Sequence, residues 1–151
     1  MEDRRYAMKL TVRTLKKHGA CVEAVDWVKG QKDISYKALF TACLTEDHLN
    51  WANWMLARLL NKENKVRYAV YAAERVIKIY EDMFPDDDRP RKAIQAAKKY
   101  LKNPSQKTAA DAAYATADAA NAANAAYAAD GNRKELLIKI LKYGYGLLIK
   151  Q

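Results

Sequence analysis

Residues 46–60, EDHLNWANWMLARLL, contain seven large apolar side chains that recur three and four positions apart. This spacing places them on one face of an α-helix. Similar periods recur along most of the chain, and runs of Val, Ile or Thr that would indicate strands are few. The sequence therefore predicts an all-α fold. Trp27, Trp51 and Trp54 are expected in its core rather than in a stacking platform, because their neighbours repeat at helical spacing.

Capping and breaking residues divide the chain into eight predicted helices joined by short loops. Ser35 and Thr45 are expected to be N-caps, and Pro90 is expected at the first position of its helix. We expect Val22 to face the core, and Gly144 and Gly146 to weaken the end of the last helix. The predicted ranges are 3–17, 21–28, 36–44, 46–60, 63–83, 90–102, 106–129 and 133–143. The chain is therefore predicted to be one domain over 1–151, a compact bundle of seven or eight helices.

The tract 109–129 is alanine at 14 of 21 positions. Alanine is the strongest helix former, and its small side chain lets neighbouring helices approach closely, so this helix is predicted at the centre of the bundle. Asp111, Tyr114, Asp118 and Asn121 follow an i, i+3, i+7, i+10 spacing that forms one polar stripe. The favoured interpretation of the tract is a packing element. The alternative is that the stripe lines a groove for a partner's basic or hydrogen-bonding groups.

The charge of the chain is strongly positive and unevenly distributed. It has 27 Lys and Arg against 18 Asp and Glu, a net charge of +9. Residues 81–88 contain five acids, whereas the following helix contains basic side chains and no acid. That helix could contact phosphates, but no nucleic-acid recognition motif accompanies it, so we expect at most weak, salt-sensitive binding to nucleic acid. The basic side chains concerned are Arg91, Lys92, Lys98, Lys99 and Lys102.

The sequence contains no phosphate-binding loop, dinucleotide fingerprint, zinc-protease motif or nucleophile elbow. His18, Cys21, Cys43 and His48 are the one candidate zinc set, but their spacing is loose and buried thiols are the favoured interpretation. We therefore expect no enzymatic activity, no cofactor and no metal. No stretch is long and apolar enough to be a bilayer span, and the N-terminus lacks the features of a signal peptide, so a cytoplasmic protein with no membrane partner is expected.

Several segments together resemble predicted bacterial immunity proteins, the all-helical proteins encoded beside polymorphic toxins and also found in phages and mobile elements. The resemblance covers roughly residues 10–130, and its most specific part is RPRKAIQAA at 89–97 followed by the alanine tract. The other segments are KKHGACVEAVDWV at 16–28, ALFTAC at 38–43, WANWMLARLL at 51–60 and DDDRPRKAIQAAKKYL at 86–101.

The resemblance implies a non-catalytic, stoichiometric inhibitor that binds and neutralises a bacterial toxin or effector. It directs attention to Asp88, Arg89, Arg91 and Lys92, where arginines beside carboxylates could pair bidentately with a partner's acids. Because the chain is basic, the expected partner is a protein with an acidic surface. Two alternatives stay open: a phage or mobile-element inhibitor of a host defence nuclease, of the anti-CRISPR type, and a nucleic-acid-binding or scaffold protein that uses the basic helix 91–102.

Overall fold

The computed structural model describes residues 8–104 and 133–151, and these residues form an all-α bundle. They contain no strand, although Lys9 and Ser35 form an isolated antiparallel bridge. None of the helices in the described part combines the length and the apolar character that crossing a membrane requires. The predicted helix over 106–129 lies outside the described residues. The helices are α1 (Val12–Lys17), α2 (Val22–Lys29), α3 (Tyr36–Thr45), α4 (Leu49–Leu59), α5 (Lys62–Met83), α6 (Arg89–Lys102) and α7 (Arg133–Lys150).

The main hydrophobic core is built by α1 to α4 together with α7 and one tyrosine of α5, Tyr68. Leu39, Leu56 and Leu141 are its largest fully buried side chains. They come from α3, α4 and α7, so these three helices bury apolar surface against one another. The predicted apolar face of residues 46–60 is therefore confirmed as part of the core.

A second, smaller hydrophobic cluster joins α5 and α6, which we call the α5–α6 hairpin. Val66, Val70, Ala73 and Ile77 of α5 are buried against residues of α6 at the same helical spacing. On α6 the buried residues are Ile94, Ala97 and Tyr100, which leaves the basic side chains of α6 exposed. The hairpin thus carries its own apolar seam beside the main core.

The predicted first helix begins too early. Residues 8–11 are not helical, because Leu10 N–H donates to the carbonyl of Ile34 and Tyr36 N–H donates to that of Met8, both at 2.8 Å. Helix α1 begins only after Thr11, whose hydroxyl accepts from the backbone of Thr14 at 3.2 Å. The backbone partners 24 to 28 residues away replace the local helical bonds of this segment.

Two predictions about α2 and α4 are also wrong. Val22 is 72% exposed and points to solvent from the first turn of α2. Thr45 ends α3 instead of capping α4, because its hydroxyl donates back to the carbonyls of Thr41 and Ala42. The prediction for Ser35 is confirmed, since its hydroxyl accepts from the backbone N–H of Ala38 at 3.2 Å.

Helix α7 continues past Tyr143 to Lys150, through both glycines that were expected to weaken it. Gly144 is the point of closest approach to α4 and α5, where an added Cβ would lie 2.7 Å from Leu56 and from the Tyr68 ring. The helix end is held by Gln151, whose side chain donates to the carbonyl of Leu59 at 2.9 Å and accepts from Asn61 N–H at 2.9 Å. Packing and these bonds outweigh the low helix propensity of glycine.

Candidate partner-binding site

The turn between α5 and α6 displays apolar side chains in a strongly acidic stretch. We call residues 83–88 the hairpin tip. Met83 and Phe84 are 49% and 51% exposed, and they are two of the four large exposed apolar residues in the described part of the chain. Phe84 is nevertheless held in place, since its N–H donates to Tyr80 O at 2.8 Å and its ring lies 5.0 Å from the Tyr80 ring. The tip therefore presents an apolar surface on a fixed backbone.

Asp87 organises the tip. Its carboxylate accepts from the Tyr80 hydroxyl at 2.7 Å and from two guanidinium nitrogens of Arg89, at 2.8 and 2.6 Å. Its backbone N–H donates to the carbonyl of Phe84 at 3.1 Å. The Arg89 guanidinium and the Tyr80 hydroxyl hold the pKa of the Asp87 carboxyl well below its usual range. The same contact raises the pKa of Tyr80.

This network predicts acid sensitivity that depends on Asp87. A carboxyl whose pKa is lower in the folded chain stabilises the fold above its unfolded pKa of about 3.9, and that contribution is lost as the pH falls further. The parent should therefore be more stable than Asp87→Asn at neutral pH, and the difference should shrink as the pH falls below about 4. Urea unfolding of both proteins across this range measures it, and a difference that stays constant with pH would contradict the role of Asp87.

The remaining cations of α6 are largely paired within the hairpin. Arg91 donates twice to Glu81, with both N–O distances at 2.8 Å, and this guanidinium lowers the pKa of Glu81. The Lys92 ammonium lies 2.7 Å from a carboxylate oxygen of Asp88, and Lys98 forms an ion pair with Glu74 of α5. The bidentate arginine donors predicted for a partner's acids are thus engaged with acids of this chain. The predicted sites Asp88, Arg89, Arg91, Lys92 and Lys98 all lie on the hairpin or its tip, and all five are exposed.

Lys99 and Lys102 are exposed, and neither forms an ion pair with another residue of the described part. They lie in the last turn of α6, at the end opposite the tip. The N-terminal turn of α5 adds Lys62, whose ammonium lies 5.9 Å from the centre of the Tyr100 ring. The hairpin therefore carries acids and exposed apolar groups at its tip, and at its other end exposed lysines without an ion-pair partner among residues 8–104 and 133–151.

The predicted zinc residues do not form a metal-binding group. Within residues 8–104 and 133–151, no three His, Cys, Asp or Glu side chains lie together as metal ligands. Cys21 is exposed, and Cys43 is buried in the main core, where burial raises its pKa to about 12. The His48 ring stacks on Trp51 at 4.1 Å between centroids.

The polar stripe of the alanine tract, Asp111, Tyr114, Asp118 and Asn121, lies outside the described residues. Sequence reasoning missed Met83 and Phe84, because the acidic run drew attention to charge alone. The sequence did contain a signal for them, because these two large apolar residues precede Pro85 and are flanked by five acids. Sequence reasoning also missed Tyr80, whose contact with Asp87 joins residues seven positions apart across the end of α5.

Comparison with known proteins identifies one family. A family model described as "Imm-5 like putative immunity protein" matches residues 55–132, which contain the whole α5–α6 hairpin. No curated protein and no solved structure matches the chain. The match spans 78 of the 151 residues, just over half of the chain. The chain therefore belongs to the Imm-5 like immunity protein family.

Proposed function

We propose that this protein is a non-catalytic, stoichiometric inhibitor that binds a bacterial toxin through the α5–α6 hairpin. The observation that carries the proposal is that the family match includes a hairpin with a rigid, half-exposed aromatic tip. The family name supplies the immunity role, and the hairpin supplies a surface suited to protein binding. The comparisons give no support to a phage-encoded nuclease inhibitor or to a nucleic-acid-binding protein.

Phe84 has the properties of an interface anchor. Aromatic side chains carry much of the binding energy of protein interfaces, and a residue already fixed in place loses little freedom on binding. The backbone bond to Tyr80, the ring contact and the Asp87 network fix the tip before any partner arrives. We therefore assign Arg89 to holding the tip, through Asp87, and Phe84 to contacting the target.

The exposed lysines at the other end of the hairpin favour a target with an acidic surface. Lys99 and Lys102 lack ion-pair partners in the described part, so binding would not have to break a pair with any of those residues. Clustered unpaired charge steers association over a Debye length of about 8 Å at physiological ionic strength. Arg91, Lys92 and Lys98 add positive potential although their nearest acids partly neutralise it.

The Phe84→Ala variant should lose most of its affinity for the toxin. Truncating an interface anchor costs about 2 kcal/mol or more, which corresponds to a loss of about 30-fold in Kd. Where a polymorphic toxin gene lies beside this gene, the assay is co-expression of the two, scored by growth, followed by a titration of the purified proteins. Fold stability should change little, because the Phe84 side chain is half exposed.

Val22→Ala is the matched control, because Val22 is an exposed apolar residue on α2, outside the family match. It should protect cells and bind toxin as the parent does. Equal affinity of Phe84→Ala and the parent would show that the tip is not the anchor. Failure of the parent itself to protect cells or bind this toxin would count against the inhibitor function.

Reversing the charge of Lys99 and Lys102 to glutamate should slow toxin association and flatten its dependence on salt, with a smaller effect on dissociation. The matched control is Lys142→Glu together with Lys150→Glu, which makes the same change of charge on exposed positions of α7. Stopped-flow association between low and physiological salt measures the effect. Equal rates for the α6 and α7 variants would show that α6 does not steer binding.

The family match also covers the predicted polar stripe Asp111, Tyr114, Asp118 and Asn121. Its contribution to target binding remains a prediction. Alanine replacement of Asp111 and Asp118 can be included in the same titration.

A further inference from the structure

A second feature lies away from the hairpin, among the α1–α2 connection, α2, α3 and α4. These elements, with Leu10 and Leu15, line a cavity of about 310 Å³ that is partly open to solvent. None of its lining residues is charged, and apart from backbone groups its polar atoms come from the Asn50 amide, the thiols of Cys21 and Cys43, and indole nitrogens. Binding sites for small molecules have this character, being concave, mostly apolar and at least about 300 Å³ in volume.

All three tryptophans of the chain line this cavity. Two of them are held by neighbours outside it: the indole N–H of Trp27 donates to Glu46 Oε2 at 2.6 Å, and the His48 ring stacks on Trp51 at 4.1 Å. The Trp27 and Trp51 rings lie 5.5 Å apart at an angle of 54°. Because the walls are braced in this way, the cavity is preformed, and the polar atom of Trp27 needs no partner from a ligand.

The volume and the lining define the class of occupant. An apolar cavity of about 150 Å³ stays dry and accepts a benzene molecule, so one of twice that volume has room for two fused rings. A helix about 10 Å across cannot enter it. A charged molecule would lose its hydration without gaining a partner, since no lining residue is charged.

We propose that this cavity is a binding site for a small, neutral, flat aromatic molecule the size of two fused rings. The ligand contacts the tryptophan rings and enters past Gly19 and Cys21, which are exposed residues of the lining. This site does not depend on the inhibitor function, because it shares no residue with the α5–α6 hairpin.

Indole is a suitable probe, since it is neutral, bicyclic and soluble. In ¹H–¹⁵N spectra the three tryptophan side-chain N–H signals should shift together and saturably as indole is added, with a Kd on the order of 1 mM or tighter. The Phe84→Ala protein should bind indole as the parent does. Absence of a saturable shift at the tryptophan signals would overturn the proposal.

A cavity-filling variant provides the specific test. Ala24 lines the cavity, whereas Ala57 is exposed on α4 and does not, so Ala24→Leu and Ala57→Leu form a matched pair. Ala24→Leu should weaken indole binding by at least about tenfold and Ala57→Leu should leave it unchanged. Equal loss in both variants, or in neither, would overturn the assignment of indole to this cavity.

A second measurement uses the parent protein alone, in case Ala24→Leu fails to fold. Cys21 is exposed at the cavity, and Cys43 is buried with its pKa raised to about 12, so a thiol reagent at neutral pH modifies Cys21 first. Saturating indole should slow the reaction of Cys21 with Ellman's reagent several-fold. A rate that indole does not change would overturn the proposal.

Discussion

Replacing Gly144 with leucine is expected to lower the free energy of unfolding by about 3 kcal/mol or more, which corresponds to a fall in Tm of about 6–12 °C. Even the first added carbon would lie 2.7 Å from Leu56 Cδ1 and from two carbons of the Tyr68 ring. The ring cannot easily move, because its hydroxyl donates to Asn53 at 2.8 Å and the residue is buried. Helix α7 would have to withdraw from α4 and α5. Thermal and urea unfolding measure the loss.

Gly146 offers a matched comparison within the same helix, because nothing lies within 4 Å of a Cβ added there. Gly146→Ala should stabilise the protein by about 0.5–1 kcal/mol through helix propensity alone. Gly144→Ala should instead destabilise it, since the steric clash begins at the Cβ itself. If both alanine variants changed the free energy of unfolding in the same direction, α7 would not pack as closely on α4 and α5 as described.

The Leu56→Ala variant is expected to lose about 2–5 kcal/mol of stability. Leu56 is completely buried where α4 meets α7, and truncation there removes contacts and leaves a cavity that its neighbours fill only in part. Urea unfolding monitored by far-UV circular dichroism measures the loss. Leu56→Met conserves most of the volume and should cost less than about 1.5 kcal/mol. If both variants lost a similar amount of stability, the loss would not come from the cavity that Leu56→Ala leaves.

Combining Leu56→Ala with Gly144→Ala tests whether the two residues are neighbours in solution. Removing the Leu56 side chain vacates space beside Gly144, so the double variant should lose less stability than the sum of the single variants. The Tyr68 ring stays in place, so the compensation should be incomplete. Simple additivity of the two losses would contradict the contact.

The helix boundaries could be predicted from the sequence where local chemistry determines them. The predictions were wrong where contacts with distant residues determine them. Ser35 marks a helix start through its own side chain, and that prediction is confirmed. Pro90 lies in the first turn of α6 but not at its first position, because the helix begins at Arg89. The extended segment at Leu10 depends on a backbone partner at Ile34, which no local pattern reveals. Gly144 lowers helix propensity locally, yet the close approach of α4 and α5 needs a residue without a side chain there. Helix propensity is an average over many proteins for each residue type, so it cannot account for either of these long-range contacts.

The candidate site shows the same division. Sequence composition was sufficient to mark the α5–α6 region and its charged residues, and the family match includes that region. The pairing of those charges was not predictable, because Arg91 reaches Glu81 across the hairpin and Arg89 reaches Asp87 around the turn. These contacts change the interpretation of the two arginines, from free donors for a partner's acids to groups that hold the hairpin and its tip in shape. Phe84 was overlooked because a single aromatic residue in a loop has no periodicity.

The separation of the two apolar clusters lets the surface of the hairpin tip vary independently of the main core. The hairpin tip is anchored by the side chains of Tyr80, Asp87 and Arg89, whereas the main core is built chiefly by other helices. Substitutions at exposed positions away from structural contacts usually alter stability by no more than about 0.5 kcal/mol. The exposed side chain at Met83 can therefore vary among related chains while the rest of the molecule keeps its architecture.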